Sequence, residues 1–210
     1  RHPRTVVRAN LTHVFGGPPP LGAVRQVFRS AIRNYYDTFV IPGLTATTLH
    51  DWAVLDGEEN VERALENGRG VILAGVHLGS PALASQLIGM RGTPMHIVVE
   101  PVSPPALFEL ISRYRSQRNV HMVPLDDPQV AHRLMRALRS NQVVGLMIDR
   151  VLTDASAAVR FFDAPAELVT GPATLALATK AVLLPSVSIR RSDGRVHGIV
   201  GEPIRFQQSG

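Results

Sequence analysis

The spacing of hydrophobic positions changes near residue 70. Before it, residues 21–40 place Val24, Val27, Phe28, Ile32 and Tyr35 at helical intervals with arginines between them, which predicts a helix after the loop Gly16-Gly17-Pro18-Pro19-Pro20. Residues 58–67 predict a second amphipathic helix, stopped by Gly68 and Gly70. Beyond this point the apolar residues fall in short runs bounded by turns: Val71–Val76, His96–Val99, Val120–Pro124, Val143–Ile148, Leu183–Ile189 and Val196–Val200. Helical stretches at about 81–90, 104–117, 128–139 and 171–180 separate most of them.

Strands alternating with helices predict an α/β fold, a mostly parallel central sheet covered by helices on both faces, with an N-terminal helical segment. The last two runs flank Arg190-Arg191-Ser192-Asp193-Gly194, a hairpin-like turn, so the sheet is expected to end antiparallel. Neither a repeat nor a linker interrupts the pattern. Residues 1–210 are therefore expected to form one domain, with 1–68 as a helical N-terminal part and 69–210 as the α/β core.

Composition narrows the class. With 45% hydrophobic residues in 210, the chain can bury one substantial core. The longest apolar run, around Val71–Val76, is strand-sized and far from the roughly 18–20 residues of a membrane span. Cysteine is absent, which excludes disulfides, thiolate nucleophiles and cysteine-based zinc sites and fits a reducing compartment. The chain opens on Arg1-His2-Pro3-Arg4 with no start methionine and no signal-peptide pattern, so a preceding N-terminal segment is expected.

Charge is uneven. Residues 1–40 hold Arg1, Arg4, Arg8, Arg25, Arg29 and Arg33 against the single acid Asp37, while the rest of the chain balances to zero. A basic, partly amphipathic N-terminal region suits an anionic membrane surface or nucleic acid; the alternative is a solvated arginine-rich face.

In an open α/β sheet, ligands bind at the carboxyl ends of strands. Two such ends carry reactive residues. Val71–Val76 runs into His77-Leu78-Gly79-Ser80-Pro81, where Ser80 suits a helix N-cap and Pro81 the first helical position. His77 then lies beside a helix N-terminus, where the N–H groups of Gly79 and Ser80 are candidate oxyanion contacts. Val143–Ile148 leads to Asp149, an acid able to orient the His77 imidazole from a neighbouring strand. His96, His121 and His197 sit within or beside strands and read as hydrogen-bonded structural residues. Dinucleotide, phosphate-loop, nucleophile-elbow and zincin patterns are not met. The run Arg113, Arg115, Arg118 is either a phosphate grip or, the favoured reading, a solvated face.

Gly70-Val71-Ile72-Leu73-Ala74-Gly75-Val76-His77-Leu78-Gly79-Ser80 resembles the first block of the bacterial lipid A biosynthesis acyltransferases, a block shared by mycobacterial phosphatidylinositol mannoside acyltransferases. Further ordered blocks are similar as well: Leu138 through Arg150, Val159-Arg160-Phe161-Phe162-Asp163-Ala164-Pro165-Ala166, Thr170 through Ala176, and Val182-Leu183-Leu184-Pro185. Val7–Leu11 and Glu62–Gly70 look like the family's N-terminal helices, so the resemblance covers nearly the whole chain. It implies a membrane anchor and a C-terminal tail lying outside these residues.

The resemblance implies a histidine base, oriented by an acid in a His-x-x-x-x-Asp/Glu motif, that deprotonates a lipid hydroxyl for attack on an acyl thioester. No covalent acyl-enzyme and no cofactor are implied. His77 matches the base, Asp149 and Arg150 match the start of an Asp-Arg-Asp block, and Glu100 and Arg115 match polar positions around the acceptor. Five positions depart: Ala82 replaces the motif acid, Ser80-Pro81 the usual pair before it, Val151 the last acid of the second block, and Asp163 a glycine.

The expected function is a peripheral O-acyltransferase on the cytoplasmic face of the plasma membrane, with Asp149 or Glu100 standing in for the missing acid. Its donor is acyl-CoA or acyl carrier protein, its acceptor a glycolipid or lysophospholipid, and its partner an anionic membrane surface, with no nucleic acid. The alternative is a lipid-binding homologue that keeps the fold without the reaction.

Overall fold

The computed structural model describes residues 2–152 and 155–206. Two helices, α1 (Pro3–Phe15) and α2 (Ala23–Val40), precede a 3-10 turn at Ile41–Gly43 and α3 (Ala46–Trp52). The remainder runs β1 (Ala53–Asp56), α4 (Glu58–Leu65), β2 (Val71–Gly75), α5 (Pro81–Gly89), β3 (Met95–Val99), α6 (Pro105–Arg115), β4 (Val120–Pro124), α7 (Val130–Arg139), β5 (Val143–Met147), β6 (Ser156–Phe161), β7 (Ala164–Val169), α8 (Gly171–Thr179), β8 (Val182–Arg190) and β9 (Val196–Val200).

Seven strands form one sheet in the order β1-β9-β8-β2-β5-β3-β4. All its pairings are parallel except β8 with β9, the hairpin expected at the end of the chain. The expected α/β architecture is present. Strand β2 is central, and its unbroken apolar run has a direct cause: helices cover both of its faces. Side chains alternate across a strand, so Val71 and Leu73 join Val143, Leu184, Val61 and Ile88 on one side. Ile72 joins Val144, Leu183, Leu134 and Leu138 on the other.

Two features differ from expectation. The part before residue 69 is not wholly helical, because β1 pairs in parallel with β9, Ala53 facing Val196. A four-residue strand carries too little periodicity to stand out; its partner, about 140 residues on, specifies it. Residues 156–169 form an antiparallel ribbon, β6–β7, turning at Phe162-Asp163 with both residues at positive φ (48° and 58°). Aspartate tolerates that left-handed conformation, which accounts for Asp163 serving where the resembling family has glycine.

α1 buries nothing. α2 buries Asp37 and Thr38 and leaves Ile32, Tyr35, Tyr36 and Phe39 exposed. Ile41, Leu44 and Leu49, between α2 and β1, pack with Leu83 and Leu87 of α5 and Val196 of β9. The N-terminal layer is thereby tied to the helix that follows β2. Among the described residues, no helix is long and apolar enough to cross a membrane.

Candidate active site

The register of the sheet brings two strand ends together. β2 and β5 are parallel neighbours with Gly75 opposite Met147, so two residues further on His77 faces Asp149. The main chains stay joined past the strands, the Ile148 N–H donating to the Gly75 carbonyl at 2.9 Å. The Asp149 carboxylate then takes both donors of His77. The His77 backbone N–H donates to Oδ2 at 2.8 Å, and Nδ1 lies 2.8 Å from Oδ1.

That clamp has chemical consequences. Burial works against the charge on Asp149, but the side-chain and backbone hydrogen bonds from His77, with the imidazole's charge, hold its carboxyl below the usual carboxylate range. An ionised carboxylate only accepts, so the proton of a neutral His77 lies on Nδ1 and the lone pair on Nε2. With 46% of its side chain exposed, His77 presents that nitrogen at an open strand end.

The third strand in line supplies Glu100, just past β3. It does not reach His77; its Oε2 pairs with Arg150 Nη1 at 2.8 Å, both side chains about half exposed. His77, Asp149, Arg150 and Glu100 thus come from the carboxyl ends of three adjacent strands. No bond joins Arg115 to these four among the described residues. Its Nε donates to Thr38 of α2 at 3.1 Å and its carbonyl accepts from Gln86, while burial lowers its guanidinium below the usual arginine range. Arg118 donates to the carbonyls of Ile41 and Leu44 at the 3-10 turn. The favoured solvated-face reading of the arginine run holds for the exposed Arg113 and is corrected for the other two: Arg115 and Arg118 hold the N-terminal layer to the C-terminal end of α6 and the loop after it, since buried carbonyls and hydroxyls there need donors.

Ser80 occupies the N-cap position of α5 but makes no side-chain cap bond, contrary to expectation. It is fully buried, and its hydroxyl donates to Asn34 Oδ1 at 3.3 Å. Of the two residues expected to face an oxyanion, only Gly79 is partly exposed; the N–H of Ser80 meets no solvent. Gly79 has φ +63°, and a Cβ there would lie 2.5 Å from the Ser188 carbonyl oxygen. Gly79→Ala is thus expected to lower the unfolding free energy by about 1–3 kcal/mol, read as an earlier urea midpoint with unchanged slope.

Of the three histidines expected to be hydrogen-bonded, His96 is, bonding Gln142 at 2.8 Å; His121 is exposed near the His96 ring, and the buried Nδ1 of His197, 3.7 Å from Asp56, closes no hydrogen bond among the described residues. A cleft of about 230 Å³ between α4, α5 and β1, lined by residues such as Leu87, Met90 and Arg91, shares none of the residues at the strand ends. Sequence reasoning did not single out Asn34 or Ser188, which bond the loop after His77, nor give Arg190, behind them, a role beyond its hairpin turn. The one available signal was Asp37, the sole acid among the first 40 residues; it is buried against Arg190.

A phosphatidylinositol mannoside acyltransferase of Mycobacterium tuberculosis (strain CDC 1551 / Oshkosh) is 31% identical over 187 residues, covering 86% of this chain and 59% of the relative. One from Mycolicibacterium smegmatis (strain ATCC 700084 / mc(2)155) is 29% identical over 184 residues, covering 85% and 60%. The chain therefore spans about three-fifths of the length of the curated relatives it matches. Residues 1–209 match the family described as bacterial lipid A biosynthesis acyltransferase, and the chain belongs to that family.

Proposed function

We propose that His77 and Asp149 form the acid–base centre of an O-acyltransferase that moves a fatty acyl group from acyl-CoA or acyl carrier protein to a hydroxyl of a glycolipid or lysophospholipid. The observation that carries this reading is the double hydrogen bond from His77 to Asp149, which supplies an orienting carboxylate although the motif acid is Ala82. His77 Nε2 takes the proton of the acceptor hydroxyl, and the oxygen attacks the thioester carbonyl. The Gly79 N–H, at the N-terminus of α5, stabilises the tetrahedral oxyanion. The C–S bond breaks, the proton passes from Nε2 to the leaving thiolate, and an ester and a free thiol result. Glu100 and Arg150 face the acceptor as an exposed ion pair that can open to a polar headgroup. The names of the mycobacterial relatives support a glycolipid acceptor. The long-range pairing of β1 with β9 supports residues 1–210 acting as one domain.

The same reading places the protein peripherally on the cytoplasmic face of the plasma membrane, with α1 and α2 toward anionic lipid. Arg4, Arg8, Arg25 and Arg29 are exposed there beside exposed Val6, Phe15, Val27 and Ile32. Replacing those four arginines by glutamine is expected to weaken binding to phosphatidylserine vesicles by about 10³-fold, at about 1 kcal/mol per charge. Phosphatidylcholine vesicles, which carry no net charge, should show little change in a co-sedimentation assay.

The catalytic proposal is tested by incubating the full-length protein with labelled acyl-CoA or acyl carrier protein and a panel of glycolipids and lysophospholipids. A labelled ester product supports it. Lipid binding without product under any pairing favours the non-catalytic reading that Ala82 and Val151 suggest.

A further inference from the structure

The His77 loop is gripped on three sides. Asp149 holds His77 from β5. From β8, the Ser188 hydroxyl donates to the Leu78 carbonyl, and the Ser188 main chain backs directly onto Gly79. The third grip comes from α2, a helix distant in sequence from every strand end, through Asn34 and the buried Ser80 hydroxyl.

Behind that contact lies a polar seam. Asn34 and Asp37 stand three residues apart and so share one face of α2. Asp37, with 1% of its side chain exposed, pairs with Arg190 of β8, and Arg190 Nη1 donates in turn to the Gly194 carbonyl at 2.7 Å. The Ser80 hydroxyl also faces the Asp37 carboxylate, yet Asp37 Oδ1 closes no hydrogen bond among the described residues. A serine at an N-cap would ordinarily satisfy its own helix. Here the hydroxyl is spent on α2 instead, which fixes the residue three positions after His77 to the N-terminal layer.

We infer that Ser80 and Asn34 are positioning residues for the His77 base, and that α2 is thereby part of the catalytic apparatus and not only a surface helix. The inference deepens the acyl-transfer reading and rests on it. Neither residue touches a reacting atom; each acts through the placement of His77, and small displacements of a reacting group cost rate steeply.

The test uses Ser80→Ala and Asn34→Leu, singly and together, with two readouts. The first is steady-state acyl transfer; the second is the ¹⁵N signal of the His77 ring, which needs no turnover. Each single variant is expected to lower kcat by about 10- to 100-fold while leaving KM for the acyl donor within about twofold. Because both cut the same bond, the double variant should be no slower than the worse single one. The His77 ring signal should shift or broaden in both. Wild-type kcat with a wild-type ring signal in both variants overturns the inference, as do losses that multiply in the double variant. If the wild-type protein transfers no acyl group, the acyl-transfer reading fails by itself, and the ring signal alone decides whether Ser80 and Asn34 position His77.

Discussion

Asp149→Asn is expected to lower the kcat of acyl transfer by about 10²–10⁴-fold with little change in donor KM. The substitution keeps size and shape, so the sheet and the His77 loop should remain in place. What changes is the proton. An amide can offer an N–H to Nδ1, which favours the tautomer carrying its proton on Nε2 and leaves no lone pair facing the acceptor hydroxyl. It also removes the negative charge that stabilises the imidazolium formed during transfer.

A stability signature accompanies the loss. The Asp149 carboxyl is held below its usual range in the folded protein, so its contribution is fully present above the unfolded carboxylate value and disappears as pH falls through the depressed folded value. Urea titrations of wild type and Asp149→Asn should therefore differ most at neutral pH, the gap starting to close near the ordinary carboxylate value of about 4 and vanishing only below the depressed folded value. A gap that persists unchanged into acid would assign the destabilisation to packing.

Arg190→Ala carries the largest expected effect on stability. Its partner Asp37 is 1% exposed, and Arg190 itself only 15%. Removing one member of a buried pair strands the other's charge, at a cost of about 3–5 kcal/mol. Burial already pushes the Asp37 carboxyl above its ordinary value, against the pull of Ser80, Arg190 and Arg33. Without Arg190 it should rise further. A carboxyl raised in the folded state loses stability as pH climbs above the unfolded carboxylate value. The deficit of Arg190→Ala should thus grow from acid toward neutral pH. A pH-independent deficit would point to lost packing instead of a stranded charge.

The main architecture was legible because its signals were local. β2 and β5 are continuous apolar runs bounded by turns, and α7 fills an interval between strands with helical spacing. The pairing of His77 with Asp149 was readable for a related reason: both residues sit two positions past the ends of adjacent parallel strands, so register brings them opposite. Glu100 showed the limit. It lies at a neighbouring strand end as expected, but Arg150, one residue after Asp149, takes its carboxylate.

What stayed hidden depends on distant partners. β1 is four residues long and takes its identity from β9. The β6–β7 ribbon is largely exposed, so it lacks the one-sided alternation of a half-buried strand. Ser80 looked like an ordinary cap because its chain neighbours fit that role; Asn34, 46 residues earlier, takes its proton instead. Arg115 and Arg118 looked like surface charge because nothing local discloses the carbonyls and hydroxyl they meet on α2 and the turn after it.

The central claim is that the His77 imidazole, held by Asp149, is the base in acyl transfer. It is tested most directly by comparing the rate of ester formation from a labelled acyl donor for wild type and His77→Ala under saturating donor and acceptor. A fall of about 10²–10⁴-fold in a variant that melts as the wild type does is the predicted result. Equal rates would contradict it, placing the chemistry elsewhere than at the ends of β2 and β5.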